Sequence, residues 1–300
     1  MACDDLFCLH LSLSLLLAVV SIPFYLVVIV AIVRGRLKKS DTLSSSFFTI
    51  CLSTATADLV EICGNWIFYR IRDGGWFFEF YDRLDPVAAK FGAALSFPTV
   101  SAQILGVTLM TLNRFTALVF PTRHKQIWNS KTVLFALLIQ WVPSFMVYPQ
   151  LIYPNFNYTR IMTINSKYPV AIFNITSPIQ LAWKVHLIVL VAESALMAVL
   201  YVVMFTVAIR SSRHATATGM YTSGTTTAGS WLELKLALYG LLCFGIVLVV
   251  LSYLVSSLFF RYTYQLLYVV IDLTCLANPY MLVLCSTPVR TEVGKLIRGG

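Results

Sequence analysis

Hydrophobic residues make up 58% of the 300 residues and charged residues only 12%, and the formal net charge is +9. A soluble domain carries about 25% charged residues, so this composition excludes a water-soluble globular protein and indicates an integral membrane protein. Because Lys and Arg accumulate at cytoplasmic membrane boundaries, the net charge indicates membrane topology and not nucleic-acid binding.

Seven long apolar runs follow one another along the chain, near residues 11–33, 44–67, 91–115, 132–152, 184–209, 236–258 and 265–285. Each is close to the roughly 20 residues that a helix needs to cross the hydrocarbon core. Since the runs are continuous and do not alternate with period two, they predict helices and not barrel strands. We therefore expect an all-α integral membrane protein, a seven-transmembrane-helix bundle in which residues 1–300 form a single domain.

The first run is expected to be a retained helix whose N-terminus lies outside the cell. Asp4 and Asp5 precede it and no Lys or Arg occurs before Arg34, whereas a signal peptide begins with basic residues. In this orientation the cytoplasmic segments hold most basic residues: Arg34, Arg36, Lys38, Lys39, Arg114, Arg123, Lys125, Lys131, Arg210, Arg213, Lys235, Arg290, Lys295 and Arg298. This distribution follows the positive-inside rule.

Two tripeptides, starting at Asn157 and Asn174, match the N-glycosylation pattern N-x-[ST]. Both lie between the fourth and fifth predicted helices, in a loop that the same orientation places outside. They predict two glycosylation sites, with an unmodified polar loop as the alternative.

The cysteine and histidine spacing predicts neither a metal site nor a cofactor. The seven cysteines are scattered, and neither C-x-x-C nor H-E-x-x-H occurs. Cys51, Cys63, Cys243 and Cys275 lie inside predicted helices, where we expect buried thiols that pack as small apolar groups.

Four carboxylates fall within predicted spans: Asp58, Glu61, Glu193 and Asp272. An ionised side chain at the centre of a span costs about 2.5–3.5 kcal/mol, so each needs a reason. Asp58 and Glu61 share a helix face with Asn65, and His186 shares another with Glu193. Such groups either pin neighbouring helices through hydrogen bonds or line a ligand site.

Two stretches in the second and seventh predicted helices resemble motifs of rhodopsin-like receptors. "LSTATADLVE", which ends at Glu61, is similar to the helix 2 motif, and Asp58 stands at its buried acid. "DLTCLANPY", which ends at Tyr280, is similar to the Asn-Pro-x-x-Tyr motif of helix 7, with Asn278 and Pro279 in place.

A third stretch, "TLNRF" at residues 111–115, resembles the Asp-Arg-Tyr motif at the inner end of helix 3. Arg114 matches its arginine, and Asn113 replaces its acid. The longer "LNRFTALVFPTRHKQIW" resembles the nematode serpentine chemoreceptors of the Srg/Srv group, a family of G-protein-coupled receptors.

This resemblance implies a chemosensory receptor that binds an external ligand between the outer halves of its helices. It also implies signalling to a heterotrimeric G protein through rearranged inner ends, from the plasma membrane and, in this family, from sensory cilia. The residues expected to serve as switch and coupling surface are Arg114, Asn113, Asp58, Asn278, Pro279, Arg123 and Lys125.

The chain also departs from the rhodopsin-like pattern. Leu282 occupies the tyrosine position of the helix 7 motif, and Tyr280 stands two places early. The usual disulfide between helix 3 and the second outer loop cannot form, because neither segment contains cysteine. No lysine occurs from residue 265 to 285, which excludes the Schiff base of a retinal protein.

The outer side of the bundle is expected to hold the ligand. The expected pocket residues are Glu61, Pro98, Thr99, Ser101, Gln103, His186 and Glu193. The aromatic stretch at residues 65–86 predicts either an interfacial aromatic belt or a lid over that pocket.

On the inner side, the loop at residues 211–230 is rich in Ser, Thr and Gly, which predicts a flexible linker. An amphipathic helix is expected at residues 288–298, lying in the headgroup plane, with an apolar stripe of Val289, Val293, Leu296 and Ile297. Cys285, just before it, is a candidate for palmitoylation.

Among protein classes, an enzyme is disfavoured because the sequence contains no nucleophile constellation, phosphate loop or metal motif. A multi-helix transporter is the alternative, since intramembrane carboxylates can relay protons or bind cations. The odd number of helices and the absence of repeated halves favour the receptor.

Overall fold

The computed structural model describes residues 5–71, 76–147, 158–161, 170–173, 177–217, 238, 241–249, 251–252 and 264–298. Its helices are α1 (Asp5–Leu37), α2 (Ser46–Asn65), α3 (Phe78–Val119), α4 (Ser130–Val147), α5 (Ser177–Ala217), α6 (residues 241–252 except 250), α7 (Tyr264–Cys285) and α8 (Thr287–Ile297). A short antiparallel hairpin of β1 (Tyr158–Ile161) and β2 (Val170–Phe173) stands between α4 and α5.

Length and hydropathy identify the membrane-crossing parts of this bundle. Within the described ranges, four helical segments are long and apolar enough to cross a bilayer: Leu11–Leu37, Ser46–Arg70, Ala94–Val119 and Leu187–Val207. Two shorter apolar helices, Ser130–Met146 and Asp272–Cys285, lie in α4 and α7. The prediction of an all-α membrane bundle is confirmed.

Helix α3 is at the centre, where it packs against α2, α4 and α5, while α1 packs against α7 and α8. Phe47 and Ile50 of α2, Met110 of α3 and Met197 of α5 are fully buried in one apolar core. Other large apolar side chains, such as Phe135 of α4, are exposed, as expected for a surface that faces lipid tails.

A polar knot fixes the close approach of α2, α3 and α4. Gln140 of α4 is buried; its Nε2 donates to the backbone oxygen of Ala102 at 3.0 Å, and its Oε1 accepts from Ser53 Oγ at 2.8 Å. Gly106 of α3 leaves space for both Gln140 and Thr54, because a Cβ at this position would lie 2.7 Å from Gln140 Nε2 and 2.2 Å from Thr54 Oγ1. A small residue is therefore required where these three backbones meet.

Helices α2 and α3 reach beyond the apolar runs predicted at residues 44–67 and 91–115. A π-helical turn, Trp66–Arg70, continues α2, and α3 already begins at Phe78. The predicted bounds left Glu79, Asp82 and Arg83 outside both helices, whereas these side chains are exposed on the part of α3 that precedes its apolar span. Most of the aromatic stretch thus belongs to helix ends, and the described residues do not form a separate lid.

Helix α5 continues to Ala217, into the segment predicted to be a flexible linker. The rest of that segment lies outside the described residues. In α8, Val289 and Val293 are buried in the protein core, beside α1 and α7. Half of the stripe that was expected to enter the headgroup region is therefore covered by protein.

Candidate functional site

Asp58 is the centre of a buried hydrogen-bond chain that joins four helices. Its side chain is fully buried on α2, and Oδ2 accepts from Asn278 Nδ2 of α7 at 2.6 Å and from the hydroxyl of Tyr25 of α1. Cys243 Sγ of α6 lies 3.3 Å from Asn278 Oδ1, to which it donates. A shift of α6 or α7 would change the contacts of this carboxylate, so the chain can transmit a movement between helices.

A small cavity adjoins this chain, with Asp58, Gln103, Cys243, Thr274 and Asn278 in its wall. About 10 Å³ of it admits the centre of a water-sized sphere, which is room for about one water molecule. Asp58 Oδ1 and Gln103 Oε1 are buried acceptors without a hydrogen-bond partner. The site is therefore suited to a small hydrogen-bond donor, and Gln103 is the one expected pocket residue in its wall.

Arg114 lies near the C-terminal end of α3, where its side chain is only 4% exposed. Its NH2 donates to Asn113 Oδ1 at 3.0 Å, and its guanidinium carbon lies 4.0 Å from the centroid of the Phe47 ring. Asn113 is fully buried and donates through Nδ2 to Ser46 Oγ at 2.8 Å. The asparagine that replaces the motif's acid thus connects Arg114 to the start of α2.

The loop after α3 is tied to the same region through Thr116. Thr116 Oγ1 donates to the backbone oxygen of Asn113 at 2.9 Å and accepts from Trp128 Nε1 at 2.8 Å. His124 Nδ1 lies 3.1 Å from the same hydroxyl. Arg123 and Lys125 are exposed around a helical turn, His124–Ile127, so the loop presents positive charge beside Arg114.

Glu61, an expected pocket residue, binds its neighbours on α2 and α3. Its Oε1 accepts from Asn65 Nδ2 at 2.5 Å and from Ser96 Oγ at 2.6 Å, and its Oε2 accepts from the hydroxyl of Thr99. Both carboxylate oxygens are used within the bundle. Of the two alternatives for Glu61, this arrangement supports a carboxylate that joins neighbouring helices through hydrogen bonds, with Thr99 of α3 as one of its partners.

Asp272 forms a buried ion pair that the sequence did not predict. Arg70 is completely buried, with NH2 2.7 Å from Asp272 Oδ1 and NH1 3.0 Å from Oδ2. Ser14 Oγ of α1 donates to Oδ2 at 2.9 Å, and the Arg70 guanidinium lies 5.1 Å from the Trp66 ring centroid. The π-helical turn places Arg70 in this position and so connects α1, α2 and α7.

The shifted tyrosine of the helix 7 motif packs against α1. The Tyr280 ring stacks on Phe24, with centroids 4.8 Å apart, and its hydroxyl lies 2.8 Å from Ser21 Oγ. Leu282, at the usual tyrosine position, is buried in the core, and Pro279 lies inside α7. Tyr280 therefore holds α1 to α7 and does not enter the centre of the bundle.

The other expected site residues are dispersed. Ser101 on α3 and Glu193 on α5 are partly exposed. Asn157, Asn174 and the side chain of His186 lie outside the described residues. The described residues contain no group of three or more His, Cys, Asp or Glu that could hold a metal ion.

Two cysteines differ from their expected environments. Cys285 is only 8% exposed and packs in the core, which disfavours it as a palmitoylation site because the thiol would first have to leave the core. Cys63, expected to be buried, is exposed on α2, whereas Cys51, Cys243 and Cys275 are buried as predicted.

Comparison with known proteins yields a family. The model described as "Serpentine type 7TM GPCR chemoreceptor Srv" matches residues 14–298. The chain is also similar to "Serpentine receptor class V-1" of Caenorhabditis elegans, with 28% identity over 143 residues, which are 47% of this chain and 44% of that protein. The chain therefore aligns with less than half of that relative's length.

Proposed function

Since the chain belongs to the Srv family of serpentine seven-transmembrane chemoreceptors, we propose that it detects an external chemical and signals to a cytosolic heterotrimeric G protein. The ligand binds between the outer halves of the helices. Its binding favours an arrangement in which the inner ends of the helices move apart and expose a surface for the G protein.

The observation that carries this proposal is the placement of Arg114. It is buried at the inner end of the central helix, yet it contacts the amide oxygen of Asn113 and the ring of Phe47. A hydrogen bond to a charged group contributes about 1.5–3 kcal/mol, and a cation–π contact about 1–2 kcal/mol. Contacts of this size can hold a resting state and still yield to a ligand that favours the other state by a few kcal/mol.

The Asp58 chain supplies the coupling between helices. Asn278 binds Asp58 on one side and Cys243 of α6 on the other, so a movement of α6 relative to α7 changes both bonds. Switches of this kind act because a packed core has discrete arrangements. Tyr25 extends the same connection to α1.

The proposed orientation places the N-terminus outside and Arg123 and Lys125 in the cytosol, in the plasma membrane. The exposure of both basic side chains beside Arg114 supports this orientation, because inner loops collect Lys and Arg. The same orientation makes Asn157 and Asn174 glycosylation sites.

Two of the four intramembrane carboxylates argue against the transporter alternative. A proton relay or cation site needs carboxylates that are available to the transported ion. Asp272 is paired with Arg70, and both oxygens of Glu61 accept hydrogen bonds within the bundle. These two carboxylates therefore lack the environment that such transport requires, whereas Asp58 Oδ1 has no hydrogen-bond partner beside the cavity and Glu193 is partly exposed.

A cell-based screen tests the proposal. Wild type and Arg114→Ala are expressed with a panel of G-protein activation reporters and challenged with fractionated nematode extracts. We expect extract-dependent activation by wild type, none by Arg114→Ala, and normal activation by Lys131→Ala, which removes an exposed inner charge. Extract-dependent uptake into vesicles, with no reporter response, would sink the receptor proposal in favour of transport.

A further inference from the structure

A lysine occupies a glycine-type position where α1 ends. Ser40 N donates to Gly35 O at 3.0 Å and Lys39 N to Arg36 O at 2.9 Å, the paired bonds of a Schellman motif. Lys39 has φ 56°, in the left-handed region where glycine is preferred and a side chain costs backbone energy. A strained residue that persists at a membrane boundary points to a use for its charge.

Helix α8 brings further cations to the same place. Its one acidic residue, Glu292, accepts a hydrogen bond from Lys295 Nζ at 2.5 Å. This hydrogen bond and the nearby charges of Lys38 and Arg34 lower the pKa of Glu292. The end of α1 and the exposed side of α8 therefore lie side by side, and Glu292 lies among the cations Arg34, Lys38 and Lys295, with the exposed Asp41 following in the next loop.

We define the basic edge as Lys38, Lys39, Lys295 and Arg298, all of which are exposed. Arg36 is not part of it, because its NH2 donates to Thr49 Oγ1 at 2.8 Å. Two large apolar side chains accompany the edge: Leu37 is 79% exposed and Ile297 73% exposed. Cations beside exposed apolar groups match the boundary between lipid phosphates and acyl chains.

We propose that the basic edge binds the phosphate groups of anionic lipids, with Leu37 and Ile297 against their acyl chains. Val289 and Val293 are covered by protein, so they contribute little contact with the membrane. Contact of this region with the membrane then depends on the cations of the basic edge and on Leu37 and Ile297. Electrostatic attraction to an anionic leaflet grows with each cation near the surface. The proposal rests on the proposed orientation only in assigning these lipids to the cytoplasmic leaflet.

A simpler reason exists for some of these cations, because positive charge stabilises the C-terminus of a helix. That reason covers Arg34, Arg36 and Lys38. It does not account for Lys39, which follows the last turn of α1 and would be more stable as glycine.

The test uses the purified full chain in bilayer nanodiscs of phosphatidylcholine, with or without a minor fraction of phosphatidylinositol bisphosphate. Retained anionic lipid is measured by native mass spectrometry and stability by thermal unfolding. Wild type should retain the anionic lipid and unfold at a higher temperature when it is present. Each cation removed from the basic edge should weaken apparent lipid affinity by about fivefold.

The decisive variant is Lys39→Gly, because glycine adopts the left-handed backbone conformation without strain and lacks the positive charge. We expect a higher unfolding temperature than wild type in neutral discs, and a smaller gain on adding anionic lipid. The triple variant K38Q/K295Q/R298Q should lose the gain, while Lys131→Gln, an exposed lysine at the start of α4, should keep it. If Lys39→Gly retains as much anionic lipid as wild type, or if Lys131→Gln loses as much of the stability gain as the triple variant, the proposal is overturned. Because no G protein is present, the outcome is independent of the signalling test.

Discussion

The guanidinium carbon of Arg114 lies 4.0 Å from the centroid of the Phe47 ring, so the end of α3 is joined to the start of α2 through a cation and an aromatic face. Asn113 reinforces the same junction by accepting from Arg114 and donating to Ser46. Where the related motif places an acid, this chain uses a neutral amide and a ring. In the proposed receptor, the resting state would then be held by contacts that depend on shape as much as on charge.

Phe47→Leu should weaken this junction and raise ligand-independent activity. The cation–π contact of a buried pair contributes about 1–2 kcal/mol, and about fivefold in an equilibrium constant corresponds to 1 kcal/mol. We expect basal reporter activity to rise about fivefold at constant surface expression. Phe48→Leu is the matched control, since Phe48 is equally buried and packs edge-on against Phe47. An equal rise in both variants would assign the effect to lost packing and not to Arg114.

Asn278→Asp should destabilise the bundle. It would replace the Nδ2 donor, 2.6 Å from Asp58 Oδ2, by a second carboxylate oxygen. We expect a loss of about 2–3 kcal/mol, seen as a lower unfolding temperature in detergent. The exchanged pair D58N/N278D restores one amide and one acid and should recover most of the loss. Additive effects of the two substitutions would show that these side chains are not coupled.

Removing one member of the Arg70–Asp272 pair should lower the stability of the fold far more than removing both. Asp272→Asn leaves the guanidinium of the fully buried Arg70 without its bidentate partner, which should cost about 3–5 kcal/mol. Replacement of both charges in R70M/D272L should lie within about 1–2 kcal/mol of wild type, because it also removes two desolvation penalties. Thermal unfolding of the three proteins decides it; a double variant as unstable as the single one would contradict this account of the pair.

Gly106→Ala should separate α2, α3 and α4. The added methyl would lie 2.2 Å from Thr54 Oγ1 and 2.7 Å from Gln140 Nε2, so the polar knot must move. Overpacking of this kind costs about 1–3 kcal/mol. Gly245→Ala in α6 provides the control, because its methyl would meet nothing within 4 Å and alanine favours a helix. Equal stability of the two variants would show that the close approach at Gly106 is not required.

The fold class and the family could be predicted because both depend on patterns that can be read along the chain. Apolar runs of membrane length and the charges of the loops are visible without coordinates. The stretches around Asn278-Pro279 and Asn113-Arg114 carry the resemblance to the family in the sequence itself. The family prediction is confirmed by the Srv match.

Pairings across helices could not be predicted in this way. Arg70 stood in a charged aromatic stretch that suggested a loop, and only the π-helical turn shows that it reaches Asp272 inside the bundle. Gln140 and Gly106 carried no motif, since their importance arises from three backbones meeting at one point. Val289 and Val293 have the spacing of a lipid-facing stripe, and that spacing serves equally well for packing against another helix.

In the proposed mechanism, Arg114 couples ligand binding to a G protein, and nucleotide exchange in a reconstituted system is the decisive experiment. The purified chain in nanodiscs, a heterotrimeric G protein and the active fraction of the nematode extract are combined, and the exchange rate is compared between wild type and Arg114→Ala. We predict that the fraction accelerates nucleotide exchange on the G protein at least about tenfold when wild type is present and has no effect when Arg114→Ala is present. Both proteins should unfold at similar temperatures. Equal acceleration of exchange with the two proteins would show that Arg114 does not couple ligand binding to the G protein.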